Sequence, residues 1–301
     1  LITFDKEGRP TLGVRRTQDP HTFIDLSIAA PWLPQPLIPL LTAGETAIAQ
    51  VKAALAHAPS RAVVPIDSIK FFPPVTHPGK VLCLGLNYAA HAEEGRFERP
   101  SSPVLFTRVA TSLVGHQEPL IRPQSSEQLD YEGELAIIIG RRGRHVSRVD
   151  ALSLVGGYSI FNDGSVRDYQ FSTPQWTMGK NFDSTGAFGP DCVTPDELPA
   201  GAAGLRLQTR LNGELVQDAN TKDMLFDVAD TIAFVTQAIT LQVGDVLVMG
   251  TPAGVGWARV PQRFMKPGDV CEVDIEGIGT LCNPIVDEQI TPYNPSQGLR
   301  R

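Results

Sequence analysis

The chain reads as an α+β protein rich in β-strands, with a small α/β unit at its N-terminus. Three observations predict this. Short apolar runs such as "KVLCLGLNY", "GELAIIIG" and "VGGYSIFND" do not alternate with polar residues, as expected of strands buried on both faces. The 301 residues include 25 prolines and 27 glycines, which cut the chain into short elements joined by turns. Two longer stretches carry a helical period instead.

In chain order, "LITF" and "TLGVRR" flank "DKEGRP" and predict a hairpin. "GETAIAQVKAALAHA" places Ala47, Ile48, Val51, Ala54 and Leu55 on one face of a helix. "APSRAVVPIDSIKFFPPVTHPGK" carries Pro59, Pro65, Pro73, Pro74 and Pro78, a connector that cannot be helix. A domain boundary is therefore expected near residue 75, giving a small N-terminal domain and linker (1–75) and a larger domain (76–301). Beyond it, "KVLCLGLNY", "PVLFTR", "GELAIIIG" and "VGGYSIFND" are strands. "LRLQTRLNGELVQD" alternates on both sides of Asn212-Gly213, a hairpin signal. "DVADTIAFVTQAIT" is an amphipathic helix with Val228, Ile232, Val235 and Ile239 on one stripe and Asp227 as its cap. The turns Gly244-Asp245 and Gly268-Asp269 each launch a further strand.

Composition narrows the function. A net charge of −7 argues against nucleic acid or an anionic membrane as partner. Cys83, Cys192, Cys271 and Cys282 form no CxxC pair and suit no zinc site, so they are expected to be reduced core thiols in a cytoplasmic protein. No apolar run approaches the roughly 20 residues of a membrane span, and "LITFDKEGRP" has no leader-like apolar region. No GxGxxG follows a strand, and neither a P-loop nor GxSxG occurs.

The chemistry concentrates in acids. "LDYEGELAIIIG" opens with Asp130, Glu132 and Glu134, which share one face of an extended chain at the mouth of a buried strand. Two carboxylates about 5 Å apart repel by roughly 3 kcal/mol at an effective dielectric near 20. A second buried strand, "YSIFND", also ends on an acid, Asp163. Two such strands in one sheet can bring Glu132, Glu134 and Asp163 together as an all-oxygen site, which selects Mg²⁺, Mn²⁺ or Ca²⁺ over zinc or copper. The competing reading makes Glu132 and Glu134 the solvated face of an edge strand paired with Arg141 or Arg142. Asp130 lies furthest from the apolar run and fits that solvated reading better.

Three further clusters stand out. In "NYAAHAEEG", His91 and Glu94 are three apart and face each other on a helical turn, as a general-base pair or as a surface pair. "RDYQFSTPQWTMGKNFDSTGAFGP" places Arg167, Gln170 and Lys180 in a stretch with no clear period, either site residues or solvated loop charges. "MGTPAGVG" is a Gly-rich turn whose N–H groups could hold a carboxylate.

Taken in order, "GLNYAAHAEE", "LDYEGELAIIIGRRGRHVS", "VGGYSIFNDGSVRDYQ", "WTMGKNFDSTGAFGP", "RLNGELVQD", "GDVLVMGTPAGVG" and "KPGDVCEVDIEGIGTLCN" resemble the fumarylacetoacetate hydrolase family. The resemblance implies a β-rich roll with mixed sheets and a central pocket, in a homodimer. It implies Glu132, Glu134 and Asp163 as ligands of Mg²⁺ or Mn²⁺, with Ca²⁺ in some members. It makes His91 and Glu94 the water-activating dyad, Lys180 a catalytic lysine, and Arg167, Gln170 and Thr251 substrate-binding residues. Some members of eukaryotic type have a fourth acidic ligand just before the histidine, whereas "VLCLGLNYAA" contains no acid. That points to the branch acting on acylpyruvates and related keto acids. The family commonly has Thr where this chain has Met249. The implied reaction is hydrolysis of a C–C bond in a 2,4-dioxo acid through a cation-stabilised enolate. Decarboxylation of an oxaloacetate-type acid, or isomerisation or hydration of a dienoate, would use the same enolate. A non-catalytic protein clamped by Ca²⁺ would need the three acids, but not His91, Glu94 or Lys180.

Overall fold

The computed structural model describes residues 1–16 and 18–289. The first hairpin forms as expected, with β1 (Ile2–Lys6) and β2 (Arg9–Arg15) antiparallel and β3 (Thr22–Asp25) added beside β2. Three helices follow, α1 (Leu26–Ala29), α2 (Leu37–Thr42) and α3 (Glu45–Ala56). α3 buries Ala47, Val51 and Ala54, and Ile48 and Leu55 pack at the border of the same stripe. The proline-rich connector differs from expectation, because its Val63–Pro65 forms strand β4 on the free edge of β3. Proline is tolerated there because an edge strand has ladder positions that need no N–H.

The remainder begins with β5 (Val81–Gly85), α4 (Ala89–Glu94), β6 (Val104–Arg108), β7 (Leu113–Val114) and β8 (Leu120–Arg122). Next come β9 (Leu129–Asp130), β10 (Gly133–Ile139), β11 (Val155–Asp163) and β12 (Ser165–Val166). The short helices α5 (Arg167–Gln170) and α6 (Thr177–Lys180) precede β13 (Gly186–Val193). The chain closes with β14 (Arg206–Leu211), β15 (Glu214–Asn220), α7 (Val228–Ala238), β16 (Val246–Val248), β17 (Val270–Ile275) and β18 (Gly279–Asp287). The β14–β15 turn holds Asn212 and Gly213 at φ 55° and 80°, the left-handed pair that a two-residue hairpin needs. Asp227 caps α7 by accepting from Asp230 N at 2.8 Å, and Val228, Ile232 and Val235 are buried beneath it.

An 11-stranded mixed sheet runs β4-β3-β2-β1-β13-β11-β10-β16-β5-β6, with β7 attached to β13. A five-stranded sheet runs β15-β14-β17-β18-β8. β10 shows why the sequence does not alternate. Its Leu135, Ile137 and Ile139 enter a core with Leu207, Val273 and Leu281 of the smaller sheet. Its Ala136 and Ile138 enter a second core with Leu26, Leu40 and Val51 of the helical layer. Each isoleucine buried this way contributes about 1.5–3 kcal/mol. β1 joins the large sheet through Ile2, opposite Asp191 of β13, so residues of the first 75 extend the sheet that carries the acids. Among the described residues no helix is long and apolar enough to cross a membrane.

Candidate active site

β10 and β11 pair antiparallel with Gly133 opposite Asn162, and Asp163 N donates to Glu132 O at 2.8 Å. This register sets the start of one strand against the end of the other. One oxygen from each of Glu132, Glu134 and Asp163 lies within 4.8 Å of the others, and all three residues are buried. The solvated-edge reading therefore does not describe them. Arg141 instead pairs with Glu45, and Arg142 is exposed.

Three buried bases hold the acids in place. Lys180 Nζ reaches Glu132 Oε2 and Asp163 Oδ2, each at 2.6 Å. Arg167 reaches Glu132 Oε1 at 2.6 Å and donates from Nε to Asp130 Oδ2 at 2.8 Å. Arg108 donates to Asp163 Oδ1 at 2.5 Å and to Thr185 Oγ1 at 2.8 Å. Asp130 is a correction to the sequence reading, since it is fully buried rather than solvated. It accepts from Gly256 N at 2.8 Å and Trp257 N at 2.9 Å, and so fixes Arg167.

Glu134 is held differently, by Gly250 N at 2.5 Å. Burial, then repulsion from Asp163 and Glu132, pushes its carboxyl well above the ordinary carboxylate range. Burial acts on Glu132 too, but Lys180 and Arg167 outweigh it and bring that carboxyl down to about 2. The donor set is all oxygen, and a cation among the three carboxyl groups would relieve the repulsion that raises Glu134, so the set fits a hard divalent cation.

α4 brings His91 and Glu94 together, with Nδ1 to Oε1 at 2.8 Å. Glu94 Oε2 accepts from Gly254 N at 2.8 Å. The N–H groups of the Gly-rich turn thus hold carboxylates of the chain itself: Glu134 on Gly250, Glu94 on Gly254 and Asp130 on Gly256. Thr251 Oγ1 donates to Gly133 O at 3.1 Å and accepts from Gln217 Nε2 at 2.9 Å. Gln170 Oε1 accepts from Arg167 at 2.8 Å. Met249 is buried in the core, and its carbonyl accepts from Asn87 Nδ2 at 2.7 Å.

A cleft of about 470 Å³, counted to its open mouth, collects His91, Glu132, Glu134, Arg167, Gln170, Lys180 and Thr251 in its wall. Glu94 and Asp163 stand one contact behind, through His91 and Lys180. Sequence reasoning missed Arg108, although "PVLFTR" reads as a strand ending on a charge. It also missed the rings of Phe97, Phe106, Phe171, Trp176 and Trp257 that complete the wall. Phe171 and Trp176 lie in the aromatic-rich stretch that also carries Arg167 and Lys180, whereas Phe97, Phe106 and Trp257 arrive from separate segments and no local pattern joins them to it.

Residues 80–286 match the family model described as fumarylacetoacetate (FAA) hydrolase C-terminal. The chain belongs to the fumarylacetoacetate hydrolase family. It is 39% identical over 264 residues, 87% of its own length and 83% of the relative's, to the mitochondrial oxaloacetate tautomerase Fahd2a of Rattus norvegicus. Among solved structures it resembles the fumarylacetoacetate hydrolase of Exiguobacterium antarcticum, with TM-score 0.81, 36% identity, and 95% and 99% of the two chains covered. It also resembles maleylpyruvate hydrolase from Sphingobium sp. SYK-6 in complex with manganese(II) and pyruvate, with TM-score 0.79, 27% identity, and coverage of 96% and 100%. The β-rich α+β architecture expected from the sequence is the fold of these family structures. The family's named members here are a tautomerase and hydrolases, so this chain shares its fold and much of its sequence with enzymes.

Proposed function

We propose that the protein is a divalent-cation-dependent enzyme that interconverts the keto and enol forms of a small 2-oxo acid. The observation that carries this is the position of His91 in the wall of a cleft that Glu132 and Glu134 also line. A divalent cation held by Glu132, Glu134 and Asp163 would polarise the 2-oxo group and stabilise negative charge developing there.

The side chains supply the rest. Lys180 and Arg167 attract the substrate carboxylate to the charged end of the cleft. Glu94, pinned by Gly254 N, fixes the His91 ring through Nδ1 and leaves Nε2 as the free nitrogen. His91 Nε2 takes the proton from C3 as the C–H electron pair forms the C2=C3 bond and the carbonyl oxygen becomes an enolate oxygen; delivery of that proton from Nε2 to the oxygen gives the enol, and the reverse sequence restores the ketone. The similarity to oxaloacetate tautomerases over most of the chain supports this step.

The likeness to maleylpyruvate hydrolase favours a second reading, C–C hydrolysis of a 2,4-dioxo acid. There His91 deprotonates water, the hydroxide adds to the distal carbonyl, and the C3–C4 bond breaks to release a carboxylic acid and the enolate of pyruvate, to which the protonated His91 returns its proton. Loss of deuterium from C3 of labelled pyruvate or oxaloacetate, with and without Mn²⁺, tests the shared step. Retention of label under both conditions overturns the proposal. A panel of acylpyruvates, fumarylpyruvate and oxaloacetate, scored for pyruvate and CO₂, separates tautomerisation, hydrolysis and decarboxylation.

A further inference from the structure

Asn87 lies between β5 and α4 and is 1% exposed. Both polar atoms of its side chain are engaged. Nδ2 donates to Met249 O at 2.7 Å and to Phe226 O at 3.0 Å, and Oδ1 accepts from Phe226 N at 2.8 Å. Its main-chain carbonyl accepts from Leu225 N at 2.7 Å. One residue thus joins the approach to the His91 helix, the approach to α7 and the Gly-rich turn.

Met249 O and Gly250 N belong to one peptide plane. The carbonyl takes the Asn87 amide, and the N–H on the opposite side donates to Glu134 Oε2 at 2.5 Å. A rigid plane held at its oxygen resists turning its N–H away from the carboxylate. Hydrogen bonds in series also polarise one another. The approach is close because residue 250 is glycine: at φ 87°, a Cβ there would stand 2.7 Å from Asn87 Cβ. The preceding Leu86 is held at φ 56°, a left-handed conformation that costs a residue with a Cβ and persists only under constraint. α4 meets the same turn a second time, where Glu94 accepts from Gly254 N.

We propose that Asn87 is a positioning residue. Through the Met249–Gly250 peptide it sets Glu134, and through the start of α4 it sets His91, so the base and the cation site keep a fixed separation. The role rests on the reading that His91 works beside a bound cation.

The test compares Asn87→Ala and the milder Asn87→Ser with Asn283→Ala. Asn283 is also 1% exposed, and its Nδ2 also donates to two main-chain carbonyls, Gly115 O at 2.8 Å and Glu118 O at 2.7 Å. It stands outside the cleft wall, so it reports what loss of a buried amide clamp does to the fold alone. Calorimetric titration reads Mn²⁺ affinity. Loss of C3 label at saturating Mn²⁺ reads the base without the effect of occupancy. Both Asn87 variants are expected to bind Mn²⁺ about tenfold more weakly, and to lose about tenfold or more in kcat with KM within about threefold. Asn283→Ala should unfold at lower urea but keep Mn²⁺ affinity and kcat. Asn87→Ser carries the test where the alanine variant does not fold. Wild-type Mn²⁺ affinity or wild-type kcat in Asn87→Ser, failure of both Asn87 variants to fold, or equal losses in the Asn87 and Asn283 variants overturns the positioning role. A wild type that neither binds Mn²⁺ nor exchanges label overturns the functional reading, and this role with it.

Discussion

Glu132 and Asp163 share one ammonium, with Lys180 Nζ 2.6 Å from an oxygen of each. The two acids are backbone neighbours across β10 and β11, and the base that joins them comes from α6. A charge removed from such an arrangement leaves its partners buried and uncompensated.

Lys180→Met should therefore cost about 3–5 kcal/mol in chelator, the range for breaking a buried ion pair. Urea unfolding in EDTA measures this. Adding Mn²⁺ should return part of the loss, because a bound cation supplies charge to the same oxygens. A midpoint equal to wild type in EDTA would show that Lys180 does not hold the pair.

Cation binding should be visible without turnover. Wild type is expected to gain about 2.7 kcal/mol when Mn²⁺ is present at a hundred times its Kd. Asp163→Asn and Glu132→Gln should abolish that gain. Thermal melts with EDTA and with Mn²⁺ provide the comparison, and a wild-type curve indifferent to both would remove the metal site.

His91 and Lys180 should differ kinetically. His91→Ala should lower kcat by about 10²–10⁴ with little change in KM, as for loss of an acid–base group. Lys180→Ala should raise KM as well as lower kcat, because a cation facing the carboxylate serves ground and transition states. Equal small losses in both variants would place neither in the site.

His116 should give the fold an acid sensitivity away from the site. Burial, with Arg15 adding to it, lowers this imidazole to about 4 from its ordinary 6.5, and Nδ1 accepts from Cys282 N at 3.1 Å. The folded state therefore favours the neutral ring. Its contribution is complete above pH 6.5 and is lost as pH falls towards 4, the loss amounting to about 3 kcal/mol at the acid end. His116→Asn keeps an acceptor but cannot protonate, so its unfolding free energy should fall less than that of wild type between pH 7 and 4.5. Parallel pH profiles would show that His116 is not the cause.

The strands and the acids were legible because their signals are local. An unalternating run such as Leu135 to Ile139 announces two apolar faces, and acids two apart at its mouth share a side. The true environment of Asp130 was not legible, because it depends on Arg167 and on the N–H groups of Gly256 and Trp257, which are distant in sequence. β4 was missed because proline density masked a strand that only an edge position allows. The aromatic wall was invisible for a further reason. Each ring alone is ordinary, and its partners are chosen by the tertiary fold.

The parallel pairing of β5 with β16 sets Val81 beside Val246. The strand that leads into the His91 helix pairs early with β6, but it joins the rest of the large sheet only through a neighbour made 165 positions later (246 minus 81). At a synthesis rate of about 5–20 residues per second, that delay is roughly 8–33 s on the ribosome. The β10–β11 hairpin, by contrast, closes across residues 140–154 alone while the chain is still emerging. The acids can therefore meet one another long before the histidine segment is joined to their sheet. Assembly of the reactive centre is thus a late event, tied to completion of the chain.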